Sequence, residues 1–428
     1  MGKIELDHTG SGSGITLSSD GTDLLLDGTA IGGGGGSPDL YAENYDGTST
    51  KPTATGTNAV AIGWNSQASG DYSTAIGYES AATQSNTFAA AISGGLAYAG
   101  ARAGNSIAMG YRSTTNNLGS VAIGNTAIAS GNYSVSLGTS YTGGTDSFAA
   151  VIDNSTSSYG ATGANSVAMG YQAKASQSYA FATGYQAQAT SNTSISMGFQ
   201  SVSSGSQSIA LGYKGQATGS KSFGVHNNTN GGATGTNSVA IGDNSLASSV
   251  NAIAIGQYAK ADANTSVAIG KYVDTKGIFG KFVFSAASLS GNADGSSQSG
   301  KQVLMCDTTD ATAEALNAHN GTASATNQVI LPNNSAYAFH GTIVARQQAS
   351  AGTASAAWKV EGLIRREGSA GTTVLVNSAT TVLDNTPSWG LALSADTTNG
   401  GLKVEATGAA STDIRWVATI HTSEVTYA

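Results

Sequence analysis

Asn237-Ser238-Val239-Ala240-Ile241-Gly242 is one of a series of near-copies that run through the middle of a 428-residue chain, mostly fourteen residues apart. Its closing glycine has counterparts at Gly63 and Gly77, at Gly110, Gly124 and Gly138, at Gly170, Gly184, Gly198 and Gly212, and at Gly256 and Gly270. A unit this short cannot bury a hydrophobic face alone, so stacked copies must share one continuous core. Fourteen residues accommodate two short strands, the second typified by Ser66-Gln67-Ala68-Ser69-Gly70, each ended by a glycine turn. In Ser120-Val121-Ala122-Ile123-Gly124, strand alternation separates Val121 and Ile123 from Ser120 and Ala122. The expectation is that the large pair fills the coil while the Ser/Ala face lets another sheet approach closely. Roughly fifteen coils at the inter-strand spacing of about 4.8 Å give a rod on the order of 70 Å. So thin a coil is poorly stable alone, which favours a homo-oligomer.

Composition supports a repetitive structural protein. Charged residues make up 10% of the chain, against about 25% in ordinary globular domains. The hydrophobic share of 39%, placed in register, argues against disorder. The net charge of −8 is uneven: residues 1–52 hold Glu5, Asp7, Asp20, Asp23, Asp27, Asp39, Glu43 and Asp46 against Lys3 and Lys51. No basic stripe exists, so nucleic acid is not an expected partner. Cys306, the single cysteine, excludes an intrachain disulfide framework and a Cys-based zinc cluster. The first residues show no apolar signal region. No stretch approaches the ~20 apolar residues of a membrane helix, so membrane insertion is not expected.

The units 58–63, 165–170 and 237–242, with their fourteen-residue spacing, resemble the head repeats of trimeric autotransporter adhesins of the YadA type. The resemblance covers about residues 53–276 and implies a homotrimer, a parallel β-roll and a role in attachment. That family also carries a signal peptide, a coiled-coil stalk and a C-terminal membrane barrel. None of these is recognisable here, and the final residues 422–428 do not continue an outer-membrane strand series.

The period breaks after Thr87-Phe88, Ser147-Phe148 and Ser222-Phe223, and the chain re-enters through variants of Ala-Thr-Gly-Thr-Asn-Ser, as at Ala233-Thr234-Gly235-Thr236-Asn237-Ser238. The excursions, with Leu96, Tyr98 and Arg102 in one and Tyr159 in another, suit either surface binding loops or turns that pack Phe onto a neighbouring chain. Upstream, Ile15-Thr16-Leu17-Ser18 and Leu24-Leu25-Leu26 flank Asp20-Gly21-Thr22-Asp23, the pattern of a β-hairpin, and residues 32–36 form a glycine tether. Downstream, strands are expected at 302–306, 328–331, 336–347, 356–366, 372–376, 389–393, 401–406 and 414–422, an antiparallel β-sandwich of jelly-roll type.

The expected organisation is an N-terminal attachment hairpin and tether (1–36), a linker (37–52), a YadA-like β-roll shaft (53–278) and a C-terminal β-sandwich head (279–428). Tether, trimeric shaft and terminal sandwich together resemble a bacteriophage tail fibre. The N-terminal segment is also similar to structural proteins of phages of marine bacteria. This resemblance implies a virion protein assembled in the host cytoplasm, held by a tail or adaptor protein and recognising a host-surface glycan or protein. A bacterial adhesin passenger and a polysaccharide-depolymerising spike are the alternatives.

Candidate receptor-binding residues are Asp384, Asn385, Trp389 and Asn399, which offer a ring for stacking a sugar and polar groups for its hydroxyls. Tryptophans on or beside strands are ordinarily core residues, which is the competing reading of Trp389. No catalytic pair is expected, since the carboxylates of the repeat tract sit at positions that do not recur, although subunit interfaces can join two of them. The histidines are isolated in sequence, and Asp307-Thr308-Thr309-Asp310 reads as a solvated loop rather than a Ca²⁺ site, so no metal or cofactor is expected.

Overall fold

The computed structural model describes residues 4–6, 15–19, 24–26, 29–30, 50–90, 99–225, 231–289, 293–348 and 352–427. Leu96, Tyr98, the hairpin turn 20–23 and the tether 32–36 lie outside them. The chain forms two compact units, 1–157 and 158–428. The fold is all-β, a β-solenoid followed by antiparallel sheet, in agreement with the sequence reading.

The coil beginning at Asn237 shows how the repeat works. Val239–Ile241 forms a three-residue strand and Leu246–Ala247 a two-residue strand. Both lie parallel and in register with the next coil, Val239 beside Ile253 and Leu246 beside Lys260. The turns between them place Asn237, Asn244 and Asn251 at φ of 56°, 53° and 57°. The fourteen-residue repeat is thus a doubled half-coil with a left-handed residue every seven positions, where asparagine is better tolerated than most residues. A serine follows the turn. The Ser238 hydroxyl donates to the Gly235 carbonyl at 2.6 Å and that of Ser245 to Gly242 at 3.2 Å, so these inner-corner hydroxyls are buried but satisfied.

The orientation is the reverse of the one expected. Ala240, Ala247, Ser238 and Ser245 fill the coil and are fully buried, whereas Val239 and Ile241 point outward and are only half-buried. The turns are too short to hold the two sheets at the ~10 Å that large interior side chains need. Only small side chains fit between them, mostly Ala and Ser, with Thr at Thr115 and Thr142. The same geometry fixes Gly242. At φ 120° it occupies a region that L side chains rarely adopt, and a Cβ there would stand 2.4 Å from the Gly256 carbonyl oxygen.

In the first unit, coils of this kind run from Thr53–Ala54 to Phe148–Ala150, with Ala61, Ala68, Ala75 and Ala89 among the interior residues. Ile4–Leu6, Ile15–Ser19, Leu24–Leu26 and Thr29–Ala30 form a separate antiparallel sheet in sequential order.

In the second unit, coils run from Gly160–Ala161 to Val267–Gly270. The last strand pairs in parallel with β1 (Phe282–Ser285), which pairs antiparallel with β2 (Ser297–Thr308). This is the point at which the solenoid becomes a sandwich. After β3 (Ala313–Ala315) and β4 (Val329–Ile330) come β5 (Ser335–Gln347), β6 (Ser355–Arg366), β7 (Val374–Asp384), β8 (Gly390–Asp396), β9 (Gly401–Thr407) and β10 (Ile414–Thr426). The main sheet has the order β1-β2-β10-β5-β6-β7. In the smaller sheet β9 pairs with β8, β3 and β4. Between the layers lies a core containing Leu304, Tyr337, Trp358, Trp389, Val404 and Trp416. The Trp416 ring stacks on Trp358 at 5.5 Å and its indole N–H donates to Thr308 Oγ1 at 3.0 Å. Cys306 is buried here, and burial pushes its thiol up to about 12, which leaves it unreactive.

Candidate functional surfaces

Outward placement of the large residues gives each unit an exposed apolar row on its three-residue-strand sheet. In the first unit it includes Ile76, Ile107, Met109 and Ile123, and in the second Met197 and Ile255, each 36–42% exposed. Phe88, Phe148 and Phe223, which precede the breaks in period, occupy the Val position of their coils and also face outward, half-buried. Beside the row, the residue after the closing glycine builds aromatic ladders where consecutive coils carry an aromatic there. Trp64 stacks on Tyr78 at 4.4 Å in the first unit. In the second, Tyr171, Tyr185, Phe199 and Tyr213 stack in succession at 4.9–5.1 Å. Such spacing follows from the coil rise, and each pair contributes about 0.5–1.5 kcal/mol beyond its area. Gln172, Gln186 and Gln200 form a parallel ladder, their side-chain amides bonded at 3.0 and 2.8 Å. The signal for both ladders was the aromatic or amide residue recurring just after the glycine, which attention to the Ser-Val-Ala-Ile core of the motif passed over.

The receptor-binding residues expected from sequence occupy structural positions. Trp389 is 5% exposed and its ring tilts against Trp416 at 5.9 Å. Asn385 braces that turn, accepting from the Trp389 N–H at 2.9 Å and donating to its carbonyl at 2.8 Å. Asp384 is exposed but receives the Thr386 N–H and hydroxyl. Asn399 lies in the β8–β9 turn, with both its N–H and its side-chain amide on Asp396, donating at 2.9 and 2.8 Å. The seven residues of β8 separate Trp389 from Asn399, roughly 20 Å at 3.3 Å per residue. The four therefore do not form one pocket.

Two polar features escaped the sequence reading because their members are distant in the chain. At the solenoid–sandwich junction, Lys281 and Glu424 form an ion pair with side chains 5% and 0% exposed. Burial raises the Glu424 carboxyl, but the Lys281 ammonium and hydrogen bonds from Lys281, Thr422 and Gln298 outweigh it and hold the group below its ordinary range. At the other end of the sandwich a polar cleft of about 480 Å³ is lined by Asp307, Thr308, Arg346, Gln348, Asp413 and Arg415, among others. Arg415 Nε stands 3.6 Å from Asp307 Oδ1, the Asn320 amide donates to Oδ2, and the Arg346 guanidinium donates to the Thr353 carbonyl. Its two guanidinium groups are balanced by the Asp307 and Asp413 carboxylates, so its volume and its donors and acceptors suit a small neutral polar ligand. Among the described residues no cluster of His, Cys, Asp and Glu has metal-holding geometry, and no helix is long and apolar enough to cross a membrane.

No curated protein sequence matches the chain. The family described as YadA head domain repeat matches residues 54–80, 101–127, 116–140, 161–187, 189–214, 233–259 and 247–272. Both units thus carry YadA head repeats, the β-roll of trimeric adhesins.

Proposed function

We propose that the chain is the subunit of a homotrimeric phage tail fibre, with residues 1–36 attaching to a tail or adaptor protein, 37–52 linking, 53–278 serving as shaft and 279–428 as receptor-binding head. The coarser reading, an adhesin-like structural fibre, rests on the YadA head repeats. The observation that carries the trimer is the outward Val/Ile row, which a single chain leaves exposed and which neighbouring copies of the same row would bury. Receptor recognition is assigned to the head, where the cleft lined by the cross-strand pair Arg346 and Arg415, with Asp307 and Asp413, offers donors and acceptors of the kind a host-surface glycan engages. The fibre belongs to the tail of a virion assembled in the host cytoplasm.

Light scattering of the full-length protein tests the assembly, with a trimer mass expected and a monomer overturning it. For recognition, the labelled full-length protein is applied to an array of bacterial surface polysaccharides. Binding that Arg415→Ala weakens at least ten-fold supports the head assignment, and undiminished binding by that variant moves recognition elsewhere. Release of new reducing ends from any bound polysaccharide would replace the fibre reading with the depolymerising spike. The adhesin-passenger alternative shares the repeats, and it would be favoured by surface display of the chain on a bacterium without phage.

A further inference from the structure

We infer that the solenoid-proximal part of the outer face of the main sheet of the sandwich, as far as the Val344–Val417 row, is buried against two further copies of this chain, so that the trimer interface continues into the head and leaves the Asp307–Arg415–Arg346 end of that face open. This rests on the homotrimer reading. The evidence is sheet continuity within the second unit. The last solenoid strand and β1 are parallel and in register, Val267 beside Phe282 and Ile269 beside Phe284. In β1, Val283 and Ser285 are buried while Phe282 and Phe284 are 39% and 51% exposed. The outward apolar row of the coils thus passes onto the outer face of the main sheet without changing sides. There it meets Val303 on β2, Val417 on β10 and Val344 on β5, which are 40–52% exposed. Val417 and Val344 are direct cross-strand partners, so the patch is contiguous. Copies that cover the Val/Ile row of the last coils necessarily reach this face.

Its charges fit the same occupant. One row across the sheet reads Lys301 on β2, His421 on β10, His340 on β5 and Glu361 on β6. In a closed ring of three, the interface is head-to-tail, so the β2 side of one copy faces the β6 side of the next. Lys301 and Glu361 then meet with opposite charge while the apolar centre is covered.

The test places single cysteines on the full-length protein, Val344→Cys and Val417→Cys separately, with Thr398→Cys in the exposed β8–β9 turn as control. Buried Cys306, whose thiol is held protonated, gives little background. Maleimide labelling is followed on samples whose mass is measured in parallel. Trimers in which both face cysteines react at least ten-fold slower than Cys at 398 support the inference. Trimers in which they react as fast as the control overturn it and leave the homotrimer standing. A monomeric wild-type protein removes both.

Discussion

Lys281 and Glu424 stand 143 residues apart in the chain, yet the ammonium of one lies 2.8 and 2.9 Å from the two carboxylate oxygens of the other. The pair joins the short strand that leaves the solenoid to the final strand of the sandwich. Gln298 adds a third element, donating to Glu424 Oε2 at 2.8 Å and to the Asp274 carbonyl at 2.9 Å. The contact that ends the repeat is therefore polar and specific, whereas the repeat itself is held by methyl groups and backbone ladders.

Breaking this pair should be costly. Lys281→Met leaves Glu424 charged, buried and short of its counter-ion, and a loss of about 3–5 kcal/mol is expected. Lys281→Met/Glu424→Met removes both charges and should be less destabilised than the single variant. Because the folded carboxyl is held below its unfolded value, its contribution is present above the ordinary glutamate range near pH 4.3 and is lost as pH falls through the folded pKa. Chemical denaturation of wild type and both variants from pH 7 to pH 3 measures all three effects.

The coil interior makes a prediction opposite to the hydrophobic pattern. Ala240 is fully enclosed, so Ala240→Leu should destabilise by about 1–3 kcal/mol or prevent the coil from closing. Val239→Leu, one residue away and facing outward, should leave coil closure intact. Thermal melts of the two variants separate the orientations, since equal tolerance of both would mean the alanine is not in a tight interior.

Much of this was legible in the sequence, and the part that was not has a physical cause. The Val239-Ala240-Ile241-Gly242 spacing specifies strand, turn and stacking period. Alternation alone assigns Val239 and Ala240 to opposite faces but does not say which face is inside. That choice depends on coil thickness, set by turn length, and in most proteins the larger residue goes in. Most of the antiparallel strands after residue 297 were readable from alternation and turn residues, but the three-residue β3 was too short to show a pattern. The placement of Trp389 was not legible, because an aromatic among polar turn residues looks the same in sequence whether its ring points outward or, as here, toward Trp416. Arg346, Arg415 and Asp307 come together only through the pairing of β2, β10 and β5, and no local pattern announces that.

Gly242 offers a sharper test of the stacking. An alanine there combines a left-handed backbone with a Cβ only 2.4 Å from the Gly256 carbonyl oxygen. Backbone strain of this kind costs about 1–3 kcal/mol before the clash is counted. Gly368→Ala is the control, because its Cβ meets nothing within 4 Å. The first variant should lower the melting temperature clearly and the second should not. Comparable melts would mean that adjacent coils stand farther apart than their register implies.

His421 should make stability depend on pH near neutrality. The His340 and His421 rings stack at 5.2 Å on adjacent strands, with Lys301 on one side of the row and Glu361 on the other. Burial, then the His340 and Lys301 charges, hold His421 below the usual imidazole value. A base whose folded pKa is depressed binds its proton more readily in the unfolded chain. Stability is therefore full above about pH 6.5, falls as pH drops from there through the folded pKa, and levels off below it. His421→Asn should flatten this portion of the profile while leaving the Glu424 transition at lower pH in place. Denaturation midpoints between pH 8 and pH 5 decide the matter, and an unchanged slope in the variant would place the dependence on another group. If copies of the chain cover this face, the same acidification also weakens their association, so a mass measured at pH 5 and at pH 8 distinguishes loss of fold from loss of assembly.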